Sequence, residues 1–269
     1  MKATNYDNPL VQAFYEKVIP SLVFVTCTDE VTGQSLIGTA TVIAHGGSAG
    51  EGFIQYLATA GHLLPDANLK TDFRLTRYFF DDPANPTSRT AEFSLPHEGS
   101  THTTPGYIRI SDKDDLSRVD VGIIRGPIYC TDGRPWFSTG RPQDESMPIE
   151  GASKWTVEGS EVAWAGYADI AMQIAQRPQP CYYRGVVSSL LIREDFQLHL
   201  IDGHNTFGIS GGPVWAVDAE SNLPKLIAII GGYRFNENAQ ALPGLVFATP
   251  IQALLTKISV DYVEKSLQL

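Results

Sequence analysis

The feature that most constrains the fold is a long succession of short runs rich in β-branched and aromatic residues. These runs recur about every ten residues between turns of Gly, Asn and Asp, which is typical of an antiparallel β-sandwich or barrel. The first half contains Ser21–Cys27, Gly38–Ala44, Gly52–Thr59, Arg74–Phe80, Ala91–Leu95, Tyr107–Ile110 and Val119–Ile124. The second half contains Glu161–Gly166, Tyr182–Val187, Gln197–Ile201, Pro213–Val217, Leu226–Tyr233 and Gly244–Ala248. The sequence therefore predicts an all-β fold.

Helices are predicted only at the two ends of the chain. Apolar residues at helical spacing predict a short helix over residues 9–19, ended by Pro20, and an amphipathic helix after Pro250. A stretch rich in Pro, Gly and polar residues is the best candidate for a connection between two halves. The predicted organisation is an N-terminal helical segment (1–20), a first β unit (21–128), a connection (129–158), a second β unit (159–250) and a C-terminal helix (251–269).

The charge of the chain excludes several classes of partner. Its 269 residues carry a formal net charge of −10, and Lys and Arg form no cluster. Such a chain is a poor ligand for nucleic acid or for an anionic membrane surface, so neither partner is expected. No apolar run is long enough to span a membrane.

Cysteine usage and the first residues of the chain bear on its compartment. Cys27, Cys130 and Cys181 are widely spaced and match no metal-ligand pattern, so we expect reduced thiols, with a Cys130–Cys181 disulfide as the alternative. The N-terminal residues lack the apolar stretch of a secretory signal. A cytoplasmic location is therefore expected, or a secreted one if a leader has been removed.

The turn around Ser210 carries the first sign of chemistry. Ser210 lies in Gly208-Ile209-Ser210-Gly211-Gly212-Pro213, directly before an apolar strand. Glycines allow positive φ angles and a close approach of the backbone to a ligand. A serine on such a turn can present its hydroxyl group while neighbouring N–H groups converge on one point, which would combine a nucleophile with an anion receptor.

Two upstream residues have the properties of partners for this serine. Acyl transfer through serine needs a base, and a carboxylate that holds the base in the right tautomer. His62 follows an apolar strand and a turn of small residues, which places it at the end of a strand. Asp120 precedes the apolar run Val121–Ile124, which must enter a core and carry the carboxylate towards it. The chain order is His62, Asp120, Ser210.

Three ordered motifs resemble those of the chymotrypsin-like (trypsin-fold) serine peptidases. They are Thr59-Ala60-Gly61-His62, Asp120-Val121-Gly122-Ile123-Ile124 and Gly208-Ile209-Ser210-Gly211-Gly212-Pro213. The resemblance extends to the stretches Gly38–Ala40, Gly231–Tyr233 and Phe247–Ala248, and covers the chain from about Ser21 to the C-terminal helix. It implies two six-stranded antiparallel β-barrels, the first bearing His62 and Asp120 and the second bearing Ser210.

The same resemblance implies a serine endopeptidase acting on protein or peptide substrates without a cofactor or a metal. His62 would be the general base and then the general acid, Asp120 its orienting group, and Ser210 the nucleophile that forms an acyl-enzyme. The backbone N–H groups of Gly208 and Ser210 would form the oxyanion hole.

Two positions depart from the pattern of the animal enzymes. Ile209 stands where zymogen-activated members keep an Asp, so no activation by N-terminal cleavage is expected. This favours the bacterial, HtrA-type and glutamyl-specific branches. His204 stands six residues before Ser210, where trypsins carry an acidic residue, so a preference for Arg or Lys is not supported. The other residues predicted to line this pocket are Thr206, Ile230, Tyr233 and Leu245.

Other interpretations of the sequence belong to three classes: another hydrolase fold, a metal site and a binding protein. The Gly-x-Ser-x-Gly pattern also fits the α/β-hydrolases, but their histidine follows the serine, and none occurs after His204. A zinc site at His97 and His102 misses the helical spacing by one residue, and a calcium site at Asp112–Asp115 lacks the loop glycine. The third is a trypsin-fold protein that binds peptides or partners without cutting them, and it remains the alternative.

Overall fold

The structure, a computed structural model, describes eleven stretches of the chain. These are residues 7–45, 54–64, 71–80, 86–93, 106–111, 120–125, 131–132, 146–149, 157–193, 196–232 and 244–252. Antiparallel β-strands dominate these residues, and they form two sheets. The predicted all-β class is confirmed.

A short helical segment precedes the first strand, as predicted. It consists of the α-helix Pro9–Ala13 (α1), a π-helical stretch Phe14–Val18 and the α-helical turn Ile19–Ser21 (α2). The side chain of Asn8 caps it, because its Oδ1 accepts a hydrogen bond from Leu10 N at 2.9 Å. Pro20 does not end the helix: it lies in the first turn of α2, where a missing backbone N–H is tolerated.

The first sheet contains seven strands, one more than the resemblance implies. They are β1 (Leu22–Asp29), β2 (Ser35–His45), β3 (Ile54–Thr59), β4 (Thr71–Phe79), β5 (Thr87–Phe93), β6 (Gly106–Ser111) and β7 (Asp120–Arg125). Their order in the sheet is β5-β4-β1-β2-β3-β7-β6. Every pairing is antiparallel, which brings the start of β7 beside the end of β3.

The second sheet is a closed six-stranded barrel, as predicted. Its strands are β8 (Glu161–Gly166), β9 (Cys181–Arg193), β10 (Phe196–Asp202), β11 (Pro213–Val217), β12 (Pro224–Gly232) and β13 (Leu245–Pro250). They follow the order β10-β13-β12-β11-β8-β9 around the barrel. A helix that the sequence did not predict, α3 (Asp169–Ala175), lies between β8 and β9.

Three apolar clusters hold the molecule together. The first is the interior of the seven-stranded sheet, with Val23 and Leu57, and the second is the interior of the closed barrel, with Val214. The third joins the N-terminal helix to residues of both sheets, including Phe24 and Trp215. Burial of apolar surface is the main favourable contribution to folding, so the third cluster stabilises the packing of the two sheets on each other.

The predicted connection contacts both sheets where it is described. Met147 is fully buried, and its N–H donates to Val42 O of β2 at 2.9 Å. The next residue, Pro148, accepts from Leu226 N of β12 at 2.9 Å. The boundaries of the five segments stay a prediction.

The predicted C-terminal helix is described only at its start. Residues 251–252 are helical, and the rest of the predicted C-terminal helix lies outside the described residues. No helix within the described stretches is long and apolar enough to cross a bilayer.

Burial raises the pKa of the Cys27 thiol to about 11. Cys181 carries a free thiol, which does not support the alternative disulfide with Cys130, a residue outside the described stretches.

Candidate active site

His62 and Asp120 are joined by two hydrogen bonds. The backbone N–H of His62 donates to Asp120 Oδ1 at 2.8 Å, and the ring atom Nδ1 lies 2.5 Å from Asp120 Oδ2. His62 lies in the 3₁₀ turn Gly61–Leu63 directly after β3, and Asp120 is the first residue of β7. Because Thr59 pairs with Gly122 in antiparallel register, the residues after Thr59 meet the residues before Gly122. This register brings together two motifs that are 58 residues apart.

The surroundings of Asp120 fix the chemistry of the pair. Asp120 is only 8% exposed, and its backbone N–H donates to Thr249 Oγ1 of β13 at 3.3 Å. A Cβ on Gly231 of β12 would lie 3.6 Å from Asp120 Oδ2, so the second barrel also approaches the carboxylate. A carboxylate only accepts hydrogen bonds, so a neutral imidazole at this position would carry its proton on Nδ1 and leave Nε2 free to accept one.

The turn that carries Ser210 is anchored on both sheets. Ser210 O accepts from Thr39 N of β2 at 2.8 Å. On the other side, Gly211 N donates to Ile230 O at 2.7 Å, and Ile230 N donates to Gly212 O at 2.9 Å. The serine is therefore held by backbone hydrogen bonds on both of its flanks.

Gly211 allows the serine turn to approach the histidine turn. It has a φ of +84°, and a Cβ there would lie 1.9 Å from Thr39 O and 2.9 Å from Ala60 N. Only glycine fits, and the serine turn consequently packs against the segment that leads into His62. No hydrogen bond joins the side chains of His62 and Ser210, both of which the structure describes.

Two backbone N–H groups beside Ser210 are available for an anion. Gly208 has a φ of +90°, and the carbonyl of Phe207 accepts from Asp169 N of α3 at 2.9 Å. The peptide group is planar and trans, so anchoring the Phe207 carbonyl turns the Gly208 N–H in the opposite direction. Within the described part of the chain, neither Gly208 N nor Ser210 N donates to any residue. Two such donors can stabilise a developing negative charge.

The other residues predicted at the site have different surroundings. Ile209 is fully buried in the core of the closed barrel. Ile230 is also fully buried, whereas His204 is exposed and Leu245 is half-buried. Thr206 Oγ1 lies 3.1 Å from the hydroxyl of Tyr183. Tyr233 lies outside the described residues, and the pocket that these side chains would line stays a prediction.

Sequence reasoning missed the residues that support the site through backbone contacts. Thr39 is the clearest, although it lies in the Gly38–Ala40 stretch that contributed to the resemblance. Asp169 and Thr249 likewise act through hydrogen bonds that no local motif indicates. Among the residues that the structure describes, no three His, Cys, Asp or Glu side chains group as a metal site. The earlier zinc and calcium candidates lie outside those residues.

Comparisons with known proteins are informative only at the level of structure. No protein-family model matches the sequence, and no curated protein matches it. The fold is similar to that of the Rv3671c protease from M. tuberculosis in its active form, with 12% identity, a TM-score of 0.51, and coverage of 94% of this chain and 84% of that one.

Two further solved structures are similar over most of their length. AL20, a thermostable serine protease from an extremophilic microorganism, has 16% identity and a TM-score of 0.51, with 86% of this chain and 91% of that one covered. A Glu endopeptidase has 14% identity and a TM-score of 0.55, with 97% and 96% covered. The chain therefore has the double-barrel fold of the chymotrypsin-like serine proteases.

Proposed function

We propose that the chain is a serine endopeptidase that hydrolyses peptide bonds through Ser210, His62 and Asp120. The observation that carries this proposal is the doubly hydrogen-bonded His62–Asp120 pair, with Nδ1 and Oδ2 2.5 Å apart. It lies next to the glycine turn of Ser210, in which the N–H groups of Gly208 and of Ser210 itself have no partner among the described residues. A base, its orienting carboxylate, a nucleophile and an anion receptor are the groups that acyl transfer requires.

In the first half of the proposed reaction the substrate acylates Ser210. The Ser210 hydroxyl oxygen attacks the carbonyl carbon while His62 Nε2 takes the hydroxyl proton. Asp120 stabilises the resulting imidazolium, and the N–H groups of Gly208 and Ser210 donate to the tetrahedral oxyanion. The carbon–nitrogen bond then breaks, and His62 gives its proton to the leaving amine.

The second half releases the acyl group. A water molecule attacks the ester carbonyl as His62 Nε2 accepts one of its protons, and the same two N–H groups receive the negative charge. Collapse of this intermediate breaks the bond to Ser210 Oγ, which takes the proton back from His62. The products are a carboxylic acid, an amine and the free enzyme.

The buried Ile209 supports activity without trypsin-type zymogen cleavage. Its side chain is fully buried in the same apolar cluster as Trp164 and Val214. An isoleucine cannot pair with the charged amino group of a new N-terminus, so apolar packing fixes the backbone before Ser210 instead. This is the arrangement expected of a bacterial-type enzyme that is competent as synthesised.

The proposal is tested with a fluorophosphonate probe on the intact chain at pH 8. We expect one label on Ser210, lost in Ser210→Ala and slowed by about 10³-fold or more in His62→Ala, because the histidine activates the nucleophile. Ser188→Ala, which changes an exposed serine on β9, is the matched control and should label like wild type. Intact mass spectrometry shows whether the labelled chain is uncleaved.

Two outcomes of this experiment contradict the proposal. One is a folded wild-type protein that takes up no label. The other is labelling that persists unchanged in Ser210→Ala. Labelling that begins only after cleavage near the N-terminus would contradict the role assigned to Ile209.

A further inference from the structure

We propose that Thr39, a residue of the first sheet, is a positioning residue for the oxyanion hole on the second barrel. This inference rests on the proposed function, since it assigns a purpose to the N–H groups of Gly208 and Ser210. Thr39 lies on β2 and is fully buried. It does not reach the substrate in the proposed reaction and acts only through the serine turn.

Thr39 holds the turn with both its backbone and its side chain. Its N–H donates to Ser210 O at 2.8 Å, and its hydroxyl donates to Gly208 O at 2.9 Å. The same hydroxyl oxygen accepts from Tyr167 N, which follows β8, at 3.0 Å. Thr39 O accepts from Thr59 Oγ1 of β3 at 2.7 Å. One side chain of the first sheet thus links two separate backbone segments of the second barrel.

The hydroxyl group fixes the peptide group that lies between the two anion donors. The Gly208 N–H is oriented by the bond from Asp169 N to Phe207 O, and the Ser210 N–H by the bond from Gly212 N to Ile209 O at 2.8 Å. Between them lies the peptide group that joins Gly208 to Ile209. Its N–H makes only a long bond of 3.4 Å to Thr206 O, so the Thr39 hydroxyl is its principal anchor.

Loss of this anchor should disturb the hole more than the fold. Gly208 has a positive φ and no side chain, so the following peptide group can tilt once its carbonyl is released, within the limit set by the buried Ile209 side chain. A change in the orientation of this peptide group changes the angle between the N–H groups of Gly208 and Ser210. The donors must lie within about 3 Å of the oxyanion, and a misplacement of about 1 Å is enough to slow a reaction by roughly 100-fold.

The position of Thr39 also connects the hole to the base. Thr39 belongs to the sheet that carries His62 and Asp120, whereas Gly208 and Ser210 lie in the turn before β11 of the closed barrel. A Cβ on Gly166 of β8 would lie 2.6 Å from Thr39 Oγ1, so the first sheet and the closed barrel are in close contact at this hydroxyl. Thr39 lies where the first sheet meets the closed barrel. The structure therefore assigns to it the role of holding the oxyanion hole in position relative to His62.

The chain offers a matched set of variants for the test. Thr39→Val replaces the hydroxyl with a methyl group of similar size, and Thr39→Ser restores the hydroxyl without the methyl. Thr41→Val is the control, because Thr41 is equally buried two residues further along β2 and its hydroxyl has no partner among the described residues. Each variant is measured for the rate of fluorophosphonate labelling and for amide hydrogen exchange over residues 206–212.

We expect Thr39→Val to label about 10- to 100-fold more slowly than wild type and to exchange faster over residues 206–212. Thr39→Ser should label within about threefold of wild type and Thr41→Val within about twofold, with unchanged exchange in that segment. The phosphonyl oxygen of the probe needs the same two donors as the carbonyl oxygen of a substrate. Labelling therefore reports on the hole itself.

The possible results separate the two proposals. If Thr39→Val labels and exchanges like Thr41→Val, the inference is overturned, as it is if both variants lose labelling equally with the same loss of stability. If wild type takes up no label, the proposed function fails while hydrogen exchange still decides about Thr39. Faster exchange over residues 206–212 in Thr39→Val, but not in Thr41→Val, then supports the conclusion that Thr39 holds the serine turn. Unchanged exchange in Thr39→Val overturns that conclusion.

Discussion

His199 is the residue whose burial has the clearest consequence for the stability of the fold. It lies on β10 opposite Leu190 and Ala248 and has no exposed surface. Neither ring nitrogen has a hydrogen-bond partner among the described residues. Desolvation by burial lowers its pKa from 6.5 to about 4, so the ring is neutral in the folded protein down to that pH.

The free energy of unfolding should fall as the pH drops from 6.5 towards 4. In that range the imidazole of the unfolded chain binds a proton that the folded chain does not, so protonation favours unfolding. A difference of this size corresponds to a loss on the order of 3 kcal/mol. Urea titrations at several pH values measure it, and His199→Leu should flatten the slope. Equal slopes in the two proteins would contradict the account.

At the scale of single residues, the sequence predicted the residues that act through their own reactive side chains. His62 and Asp120 were predicted because a base and a carboxylate at strand ends are visible in local sequence. Thr39 was not, because its partner Gly208 is 169 residues away and contributes only a peptide carbonyl. Burial of His199 was equally invisible, since the flanking residues do not show which side of the strand faces the barrel interior.

At the scale of elements, the N-terminal helix is a tether, because it packs on residues of both the first sheet and the closed barrel. It precedes the first sheet in sequence, yet Phe14 packs on aromatic residues of the second barrel. The ring of Phe14 stacks on Trp215 with centroids 6.4 Å apart and contacts Tyr182 at 5.4 Å. The helix thus covers the apolar surface where the second barrel would otherwise face water.

Phe14→Ala should lower the free energy of unfolding by about 3–5 kcal/mol, because it removes a ring that is only 5% exposed and leaves a cavity against Trp215. Glu16→Ala is the control on the same segment, since Glu16 is exposed, and should cost less than about 0.5 kcal/mol. Chemical denaturation of both variants gives the comparison. Similar small losses would show that the helix is not a tether.

Element prediction succeeded for strands and failed for the helix beside the site. Runs rich in β-branched residues predicted the strands, and the structure has strands at these runs. Helix α3 has no buried residue and no capping side chain at its start, and it ends at Gln176 with a φ of 52° instead of at a glycine. Only the acidic Asp169 in its first turn and Pro178 after its end indicated a helix, and the N–H of Asp169 orients the Gly208 peptide.

At the scale of the whole molecule, the proposed site exists only when the two sheets pack together. The first sheet supplies the base and its carboxylate, and the second supplies the nucleophile and the anion donors. The third apolar cluster, the Thr39 hydrogen bonds and the Met147–Pro148 contacts hold these two parts in register. The sequence predicted the two halves by resemblance, but the contacts between them involve long-range backbone groups that no local pattern encodes.

The central claim is peptide-bond hydrolysis at Ser210, and cleavage of a diverse peptide library tests it most directly. Wild-type protein and Ser210→Ala are incubated with the library, and the products are identified by mass spectrometry. We predict internal cleavages by wild type with a preference at the residue before the cut bond, and none by Ser210→Ala. A folded protein that takes up the fluorophosphonate label yet leaves every peptide intact would contradict the account and favour a trypsin-fold protein that binds without cutting.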